Sequence, residues 1–348
     1  MSATDIDPHA RTTQSAQPLL TVKGLQKYFP VRGGIFGRTQ AMVQAVDGVS
    51  FEVKKGETLG IVGESGCGKS TTAKLLIGLT EKDEGEIVFD GEELGETLSL
   101  RDLRRGVQMV FQDSYASLNP RLTIEDSVAF GARVQGLDTP NERARALMER
   151  VGLDPDRFAH RYPHELSGGQ RQRVAIARAL AMSPRVVVLD EAVSALDKSV
   201  EAQVLNLLAD LRAEFGLTYI FISHDLNVVR YISDRILVMY LGEVVEIAPV
   251  DSIWAEQAHP YTRSLFSAMP SMDPDNRTKV PPLAGDPPNP INPPKGCRFH
   301  TRCRFASDVC KVTAPKLAGI ARNADHMVAC HLHDADSGHP NAGQGIPE

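Results

Sequence analysis

The chain has 348 residues, of which 42% are hydrophobic and 24% are charged, and its net charge is −6. This length and composition are typical of a soluble protein of two domains, and the acidic balance argues against nucleic acid as a partner. No apolar stretch approaches the roughly 18 residues that a membrane helix needs, and the polar N-terminus lacks a secretory signal, so we expect a cytosolic protein.

The N-terminal part of the chain changes character near residue 19. Residues 1–18 are polar, and we expect them to be disordered. Short β-like runs follow at Leu20–Lys23, Val43–Val46 and Val49–Val53. Between the first two, Tyr28 and Phe29 offer aromatic rings that could stack on a purine base, although an aromatic side chain in the core at a strand end explains the same pattern.

A glycine-rich loop is the strongest single motif. Gly63–Thr71 reads GESGCGKST and lies between an apolar strand-like run, Thr58–Val62, and a helix-like run, Thr72–Gly78. This is the context that the phosphate-binding motif G-x-x-x-x-G-K-[ST] requires. Its glycines let backbone N–H groups turn toward phosphates, Lys69 can reach the β- and γ-phosphates, and the Ser70 hydroxyl can bind Mg²⁺.

The middle of the chain combines an apolar strand with helical segments. Val107–Gln112 predicts a buried strand that ends at Gln112, where a side chain can meet a ligand on the loop. Ile124–Val134 and Glu142–Val151 carry helical periodicity and predict a small helical insertion. Farther on, Ser167 followed by Gly168 and Gly169 predicts an uncovered helix start, which is a second possible anion site; the alternative is an ordinary capped helix with a basic face.

Two further apolar strands carry polar residues at their ends. Val186–Leu189 predicts a central parallel strand that presents Asp190 and Glu191 at its carboxyl end. Asp190 can hold Mg²⁺, and Glu191 can polarise a water molecule for attack on a γ-phosphate. Leu217–Ile222 predicts another strand, after which His224 lies at the same sheet edge or serves only as a helix cap.

The composition shifts again after residue 270. Nine prolines between Pro270 and Pro294 predict an extended linker over 271–295, followed by a Cys-rich C-terminal domain over 296–333 and a disordered tail over 334–348. Four cysteines lie within 34 residues and favour a metal over disulfides in a cytosolic protein: Cys297, Cys303, Cys310 and Cys330. Four thiolates suit zinc or an iron–sulfur cluster, and four free thiols in a small core are the alternative. His300, His326 and His331 are possible substitute ligands.

The order of these motifs resembles the nucleotide-binding subunit of an ABC transporter over about residues 19–270, including an intact LSGGQ sequence at Leu166–Gln170. The later part, with His259–Leu265 and the cysteines, is similar to the oligopeptide/dipeptide importer ATPases. The resemblance implies an α/β P-loop NTPase fold. Its parts would be a RecA-like core, an N-terminal antiparallel β subdomain, a helical subdomain over 121–182 and a small Cys-rich C-terminal extension.

The resemblance also implies roles for individual residues. Glu191 would be the catalytic carboxylate and His224 the γ-phosphate sensor, while Ser70, Gln112 and Asp190 would surround Mg²⁺. The residues that would bind ATP in the same chain are Phe29 (less plausibly Tyr28), Gly63, Ser65, Gly66, Cys67, Gly68, Lys69, Ser70, Thr71 and Gln112. The residues that would contact the ATP of an opposing subunit are Ser167, Gly168, Gly169 and Gln170. Some importers of this branch carry a 4Fe–4S cluster on such cysteines, which favours iron–sulfur over zinc.

The implied function is ATP-driven uptake of di- or oligopeptides across the cytoplasmic membrane, with the chain on the cytoplasmic face. The implied partners are a second, related ABC ATPase in a head-to-tail heterodimer, two polytopic permease subunits and an extracytoplasmic peptide-binding protein. Nickel or glutathione uptake by the same ATPase is an alternative, and a cytosolic ABC ATPase without a transport role is a weaker one. One departure from the family is Ala192, which follows Glu191 where many members have proline.

Overall fold

The computed structural model describes residues 17–33, 38–269, 286 and 288–347. The predicted disordered segment 1–18 and linker 271–295 therefore lie largely outside the described residues. Within that part of the chain, strands and helices alternate through most of the sequence, as the succession of apolar runs predicts.

The strands form two sheets. In chain order they are β1 (Pro18–Gly33), β2 (Arg38–Lys54), β3 (Thr58–Val62), β4 (Glu84–Phe89), β5 (Glu92–Glu93), β6 (Val107–Val110), β7 (Val186–Asp190), β8 (Thr218–Ile222), β9 (Arg235–Tyr240), β10 (Glu243–Pro249), β11 (Ala318–Ile320) and β12 (Asn323–Val328).

The helices cover and connect these sheets, and a short 3-10 helix at Pro163–Glu165 precedes α6. In chain order they are α1 (Lys69–Leu76), α2 (Leu100–Gly106), α3 (Ile124–Val134), α4 (Pro140–Arg150), α5 (Pro155–Phe158), α6 (Gly168–Leu180), α7 (Lys198–Phe215), α8 (Leu226–Ile232), α9 (Val250–Ala255), α10 (Pro260–Ser267) and α11 (Asp308–Val312).

The larger sheet has the strand order β11-β12-β10-β9-β3-β8-β7-β6. Five adjacent strands, from β9 to β6, are parallel, with β3 between β8 and β9. Successive side chains of β7 enter two different apolar cores, Val187 and Leu189 on one face and Val186 and Val188 on the other. Because both faces are covered, the strand reads as a continuous apolar run, and its carboxyl end is free to carry polar residues.

The smaller sheet is antiparallel, with the order β2-β1-β4-β5. It shares an apolar core with α1 and with the β7 face that carries Val186 and Val188. On the opposite side of the large sheet, α3, α4 and α6 pack together in the other core. These parts match the expected α/β fold with an N-terminal antiparallel subdomain and a helical insertion.

The C-terminal region is joined to the large sheet. β12 pairs with β10, and β11 pairs with β12, so both strands extend the sheet beyond its parallel part. A buried contact supports this junction, since His326 Nε2 lies 2.6 Å from Glu246 Oε1 and both side chains are almost inaccessible. Phe299 belongs to the core that also contains the helical insertion. The region expected as a separate Cys-rich domain is thus continuous with the ATPase fold in packing.

The tail also differs from the expectation of disorder over 334–348. Residues 334–347 are described as a series of turns, and His339 is buried. Its Nε2 lies 2.9 Å from the carbonyl oxygen of Phe305, and Arg263 donates a hydrogen bond of 3.3 Å to the carbonyl of Pro347. The polar composition of the tail does not predict these contacts, because they are made by single side chains rather than by an apolar face.

Candidate nucleotide-binding site

The glycine-rich loop connects β3 to α1 at the carboxyl edge of the parallel strands. Gly63 has φ = 150°, and a Cβ there would come within 2.3 Å of the carbonyl oxygen of Met239. Gly68, immediately before α1, has φ = 108°, and a Cβ there would come within 2.3 Å of the carbonyl oxygen of Ala45. Glycine is therefore required at both positions by conformation and by space. The first N–H groups of α1 have no intrahelical partner and can serve as anion donors.

Lys69 lies inside the loop that it belongs to. Its side chain is buried, and Nζ donates hydrogen bonds to the carbonyl oxygens of Gly63 (2.7 Å) and Glu64 (3.0 Å). The ammonium group is thus held between backbone carbonyl oxygens of the loop. A lysine placed in this way can exchange carbonyl oxygens for phosphate oxygens without a rearrangement of the fold.

Ser70 and Asp190 meet across the sheet edge. The Ser70 hydroxyl donates a 3.0 Å hydrogen bond to Asp190 Oδ1, and Asp190 is only 5% exposed. Burial raises the pKa of Asp190, the hydrogen bond from Ser70 opposes this, and the charge of Glu191 raises it further. A buried carboxylate beside a hydroxyl is an oxygen ligand pair that fits Mg²⁺, whose charge would offset the cost of burial.

Glu191 is held by residues from two other strand ends. Gln112 Nε2 donates a 2.9 Å hydrogen bond to Glu191 Oε2, and His224 Nδ1 lies 3.5 Å from the same oxygen. The backbone of Glu191 has φ = 47°, a left-handed conformation that is strained for a residue with a side chain. Its N–H is fixed by the carbonyl of Ile222 at 2.9 Å. The structure thus brings two other predicted site residues, Gln112 and His224, to the carboxylate of Glu191.

The predicted second anion site is a well-formed helix start. Ser167 caps α6, with Gln170 N donating to Ser167 Oγ (3.3 Å) and Ser167 N donating to Gln170 Oε1 (2.9 Å). A Cβ at Gly169 would come within 2.5 Å of Val200 on α7, whereas a Cβ at Gly168 would meet only Leu196 at 3.8 Å. Packing against α7 therefore explains why position 169 requires a glycine, but it does not explain the glycine at position 168.

The two candidate stacking aromatics differ in their surroundings. The hydroxyl of Tyr28 donates a 2.6 Å hydrogen bond to Asp47, and burial together with this bond raises the pKa of Tyr28 to about 12. Phe29 is 39% exposed, and Lys27 Nζ lies 5.7 Å from its ring centroid. Phe29 is therefore available for a planar ligand, whereas Tyr28 is occupied by a protein contact.

Two residues that contact the glycine-rich loop, Tyr261 and Arg302, were not predicted from the sequence. Glu64 donates its N–H to the Tyr261 hydroxyl (2.8 Å) and pairs through its carboxylate with Arg302 (2.8 Å). Tyr261 and Arg302 are 197 and 238 positions from Glu64, so no local pattern connects them. The sequence signal for such a partner is Glu64 itself, because an acidic residue in a loop that would bind an anion needs a basic residue to neutralise it.

The four late cysteines converge on one small pocket, with a cavity volume of about 20 Å³, that is also lined by histidine side chains. All four are free thiols. Burial raises the pKa of Cys297 to about 12 and also raises the pKa values of Cys303 and Cys330. His331 Nδ1 is buried in the same surroundings and has no hydrogen-bond partner among the described residues. Nevertheless, no group of three or more His, Cys, Asp or Glu residues in the described ranges has the arrangement of a metal-ion site.

Two family models match the chain. Residues 46–194 match the ABC transporter family, and residues 245–310 match the C-terminal region of oligopeptide/dipeptide transporters. The first match contains the glycine-rich loop, the helical insertion and Glu191. The second contains Tyr261 and three of the clustered cysteines.

Similar curated proteins extend over nearly the whole chain. The chain is 48% identical over 331 residues to the oligopeptide transport ATP-binding protein AppF of Bacillus subtilis, covering 92% of this chain and 99% of that protein. It is 49% identical over 308 residues to the dipeptide transport ATP-binding protein DppF of Haemophilus influenzae, covering 86% and 93%.

Solved structures give the same answer for the fold. The ABC transporter component cbiO1 of Clostridium perfringens superimposes with a TM-score of 0.59 at 30% identity, covering 69% of this chain and 92% of that one. The ATP-binding cassette MJ0796, described as a dimer bound to ADP and Pi, has a TM-score of 0.59 at 31% identity, covering 66% and 98%.

The chain therefore belongs to the ATP-binding subunits of ABC transporters, and the predicted family, fold and ATPase activity are confirmed. ATP and Mg²⁺ are the cofactors of this class. No helix in the described ranges is both long and apolar enough to cross a bilayer.

Proposed function

We propose that this chain is the ATP-hydrolysing subunit of an ABC importer that takes up di- or oligopeptides. The observation that carries the proposal is the match of residues 245–310 to the C-terminal region of oligopeptide/dipeptide transporters. Relatives named for oligopeptide and dipeptide transport, at 48% and 49% identity over most of the chain, support the same substrate class.

In the proposed nucleotide site, one group of residues binds ATP and another holds Mg²⁺. Bound ATP with Mg²⁺ would supply a γ-phosphate that is polarised for attack by water. Lys69 and the N–H groups at the start of α1 would bind the phosphates, and Phe29 would stack on the base. Ser70, Gln112 and Asp190 would hold Mg²⁺. The remaining contacts to ATP would come from the loop residues Gly63, Ser65, Gly66, Cys67, Gly68 and Thr71.

Glu191 would accept a proton from the attacking water as general base. Its contacts with Gln112 and His224 support this role, since they orient one carboxylate oxygen and leave the other to face a ligand. His224 would also sense the γ-phosphate, because its side chain is exposed at the same sheet edge. A strained backbone at Glu191 is a further property that active-site residues often have.

The signature residues Ser167–Gln170 would bind the ATP of a second ATPase subunit. In the single chain, Ser167 is exposed and its side chain bonds to its own helix, so the anion-binding end of α6 faces outward. The space beside Gly168, which packing leaves open, supports the approach of a ligand there. The partner would be a related ATP-binding chain arranged head to tail with this one.

The other partners would be two polytopic permease subunits and an extracytoplasmic peptide-binding protein. The chain would associate with the permeases at the cytoplasmic face of the membrane. The names of the relatives, which refer to peptide import and transport, support this assembly.

The cysteine pocket would hold a 4Fe–4S cluster, with Zn²⁺ as the alternative. Cys297, Cys303, Cys310 and Cys330 line one pocket, which supports this proposal, although in the described ranges their side chains are not arranged as a metal-ion site and would have to move to bind one. The raised thiol pKa values mean that a bound metal would have to displace protons from the sulfur atoms. His331 Nδ1, which has no hydrogen-bond partner in the described part of the chain, is a nearby polar atom that a bound group could satisfy.

The proposed function can be tested with the purified importer in proteoliposomes. We expect ATP-dependent uptake of a labelled di- or oligopeptide, and loss of uptake when Glu191→Gln is introduced. Uptake of nickel or glutathione in place of peptides would overturn the substrate class. An ATPase that copurifies with no membrane subunits would overturn the transport role.

A further inference from the structure

The glycine-rich loop is fastened to the C-terminal region by a two-bond ion pair. Arg302 Nη1 lies 2.8 Å from Glu64 Oε2, and Nη2 lies 3.1 Å from Glu64 Oε1. The two bonds are parallel, which is the arrangement in which a guanidinium binds a carboxylate most strongly. The Arg302 side chain is 5% exposed and that of Glu64 is 24% exposed, so solvent screens the pair only partly.

The peptide group of Glu64 is fixed as well as its side chain. Its N–H donates to the hydroxyl of Tyr261 at 2.8 Å, and its carbonyl accepts from Lys69 Nζ at 3.0 Å. Tyr261 is fully buried on α10. The Glu64 carbonyl also accepts a hydrogen bond from Cys67 N at 3.2 Å. Each polar group of Glu64 is therefore bonded, and the partners of its N–H and of its carboxylate lie outside the loop.

Tyr261 and Arg302 both contact a cluster of aromatic rings. The rings of Tyr240 and Tyr261 have centroids 4.6 Å apart, and Phe299 packs against both at 5.3 and 5.5 Å. Arg302 also lies over the Tyr240 ring, and its Nη1 is 3.4 Å from the Tyr240 hydroxyl. Arg302 and Phe299 belong to the same chain segment as Cys297 and Cys303. The C-terminal region thus presents Arg302 beside a buried aromatic cluster.

Charge explains why this contact bears on ATP binding. The loop carries an acidic side chain at Glu64 next to the site where a polyphosphate would bind, and an unpaired carboxylate there would repel the phosphates. Pairing with Arg302 neutralises that charge. Pairing also raises the pKa of Arg302, so the guanidinium stays charged.

We propose that Arg302, supported by Tyr261, is a positioning residue for the phosphate-binding loop: it neutralises and fixes Glu64 so that ATP meets a preformed site. The inference rests on the proposed nucleotide site, and it adds a contribution from the C-terminal region to that site. In the described ranges, the side-chain contacts of Arg302 are with Glu64 and Tyr240, and none is with Asp190 or Glu191, the strand-end carboxylates that the hydrolysis step uses. Its effect should therefore fall on nucleotide affinity rather than on the rate of hydrolysis.

The test is the affinity of the full-length chain for a fluorescent ATP analogue with Mg²⁺. We expect Arg302→Gln to weaken binding about tenfold, and Arg302→Lys to restore part of the loss. Glu64→Gln combined with Arg302→Gln should bind within about threefold of the unaltered chain, because the repelling charge is gone. Lys311→Gln removes an exposed ion pair with Asp308 in the same region and is the matched control. In the assembled importer, Arg302→Gln should raise KM for ATP and leave kcat nearly unchanged.

Unaltered affinity in a folded Arg302→Gln chain would overturn the proposal, and so would a double variant that binds no better than Arg302→Gln alone. If Arg302→Gln prevents folding, Tyr261→Phe, which removes one hydroxyl, decides the question: about threefold weaker binding is expected, and unchanged binding refutes the proposal. A chain that binds no nucleotide at all would instead overturn the proposed function.

Discussion

The side-chain amide of Gln112 donates a 2.9 Å hydrogen bond to Glu191 Oε2, although the two residues are 79 positions apart. Gln112 follows β6 and Glu191 follows β7, and these two strands are neighbours in the parallel sheet. The bond therefore links the part of the chain that leads into the helical insertion with the proposed catalytic carboxylate.

We expect Glu191→Gln to lower ATP turnover by a factor of about 100 or more, because the general base is lost. MgATP affinity should change little, since an amide occupies the same volume and can still accept a bond from Gln112. Turnover is measured by phosphate release from the assembled importer, and affinity by equilibrium binding. Glu86→Gln, which neutralises an exposed acid on β4, is the control and should keep full turnover. Normal phosphate release by Glu191→Gln would refute the assignment.

Phe29 and Tyr28 can be separated by paired variants. We expect Phe29→Ala to weaken MgATP binding by about 1–2 kcal/mol, because base–aromatic stacking contributes energies of this size. Tyr28→Phe breaks only the bond to Asp47 and should leave nucleotide affinity unchanged. Equilibrium binding of ATP to each purified variant is the measurement. The reverse pattern would assign stacking to Tyr28, and no effect of either would remove this segment from the site.

The two signature glycines should respond differently to alanine. Gly169→Ala places a Cβ within 2.5 Å of Val200, so we expect a lower Tm in the isolated chain. Gly168→Ala meets only Leu196 at 3.8 Å and should leave the Tm of the isolated chain unchanged. If the helix end binds ATP across a subunit interface, Gly168→Ala should nevertheless reduce ATPase activity of the assembled pair. Full activity of the Gly168→Ala pair would contradict that role.

The proposed 4Fe–4S cluster in the cysteine pocket can be tested by measuring the metal content of the protein. Anaerobically purified protein should contain iron and acid-labile sulfide in equal amounts, and Cys330→Ser should lower both. Cys67→Ala, which alters the buried cysteine of the glycine-rich loop, should leave both unchanged. Zinc without sulfide would support the alternative ligand. Protein from metal-sufficient cells that holds neither iron nor zinc would contradict both.

Periodicity and strand-end chemistry predicted most of the nucleotide-binding half. The bounds of β3 and α3 agree with the sequence pattern, because β3 is a short apolar run and α3 carries an uninterrupted helical periodicity. The contact of Ser70 with Asp190 also follows, since the carboxyl ends of parallel strands meet at one edge.

Contacts of the C-terminal region could not be predicted in this way. β12 is only six residues long, and its partner β10 lies about 80 positions earlier, so neither length nor alternation reveals the pairing. The pairing of Glu64 with Arg302 depends on two single charged side chains, and such residues are most often solvated.

The pairing of β12 with β10 has a practical consequence for shortened versions of the protein. Without the last segment, the backbone N–H and C=O groups of β10 would form an open sheet edge that could pair with other chains. The buried carboxylate of Glu246 would also lose His326. Removal of the cysteine-bearing end should therefore produce aggregation-prone material rather than a smaller soluble ATPase.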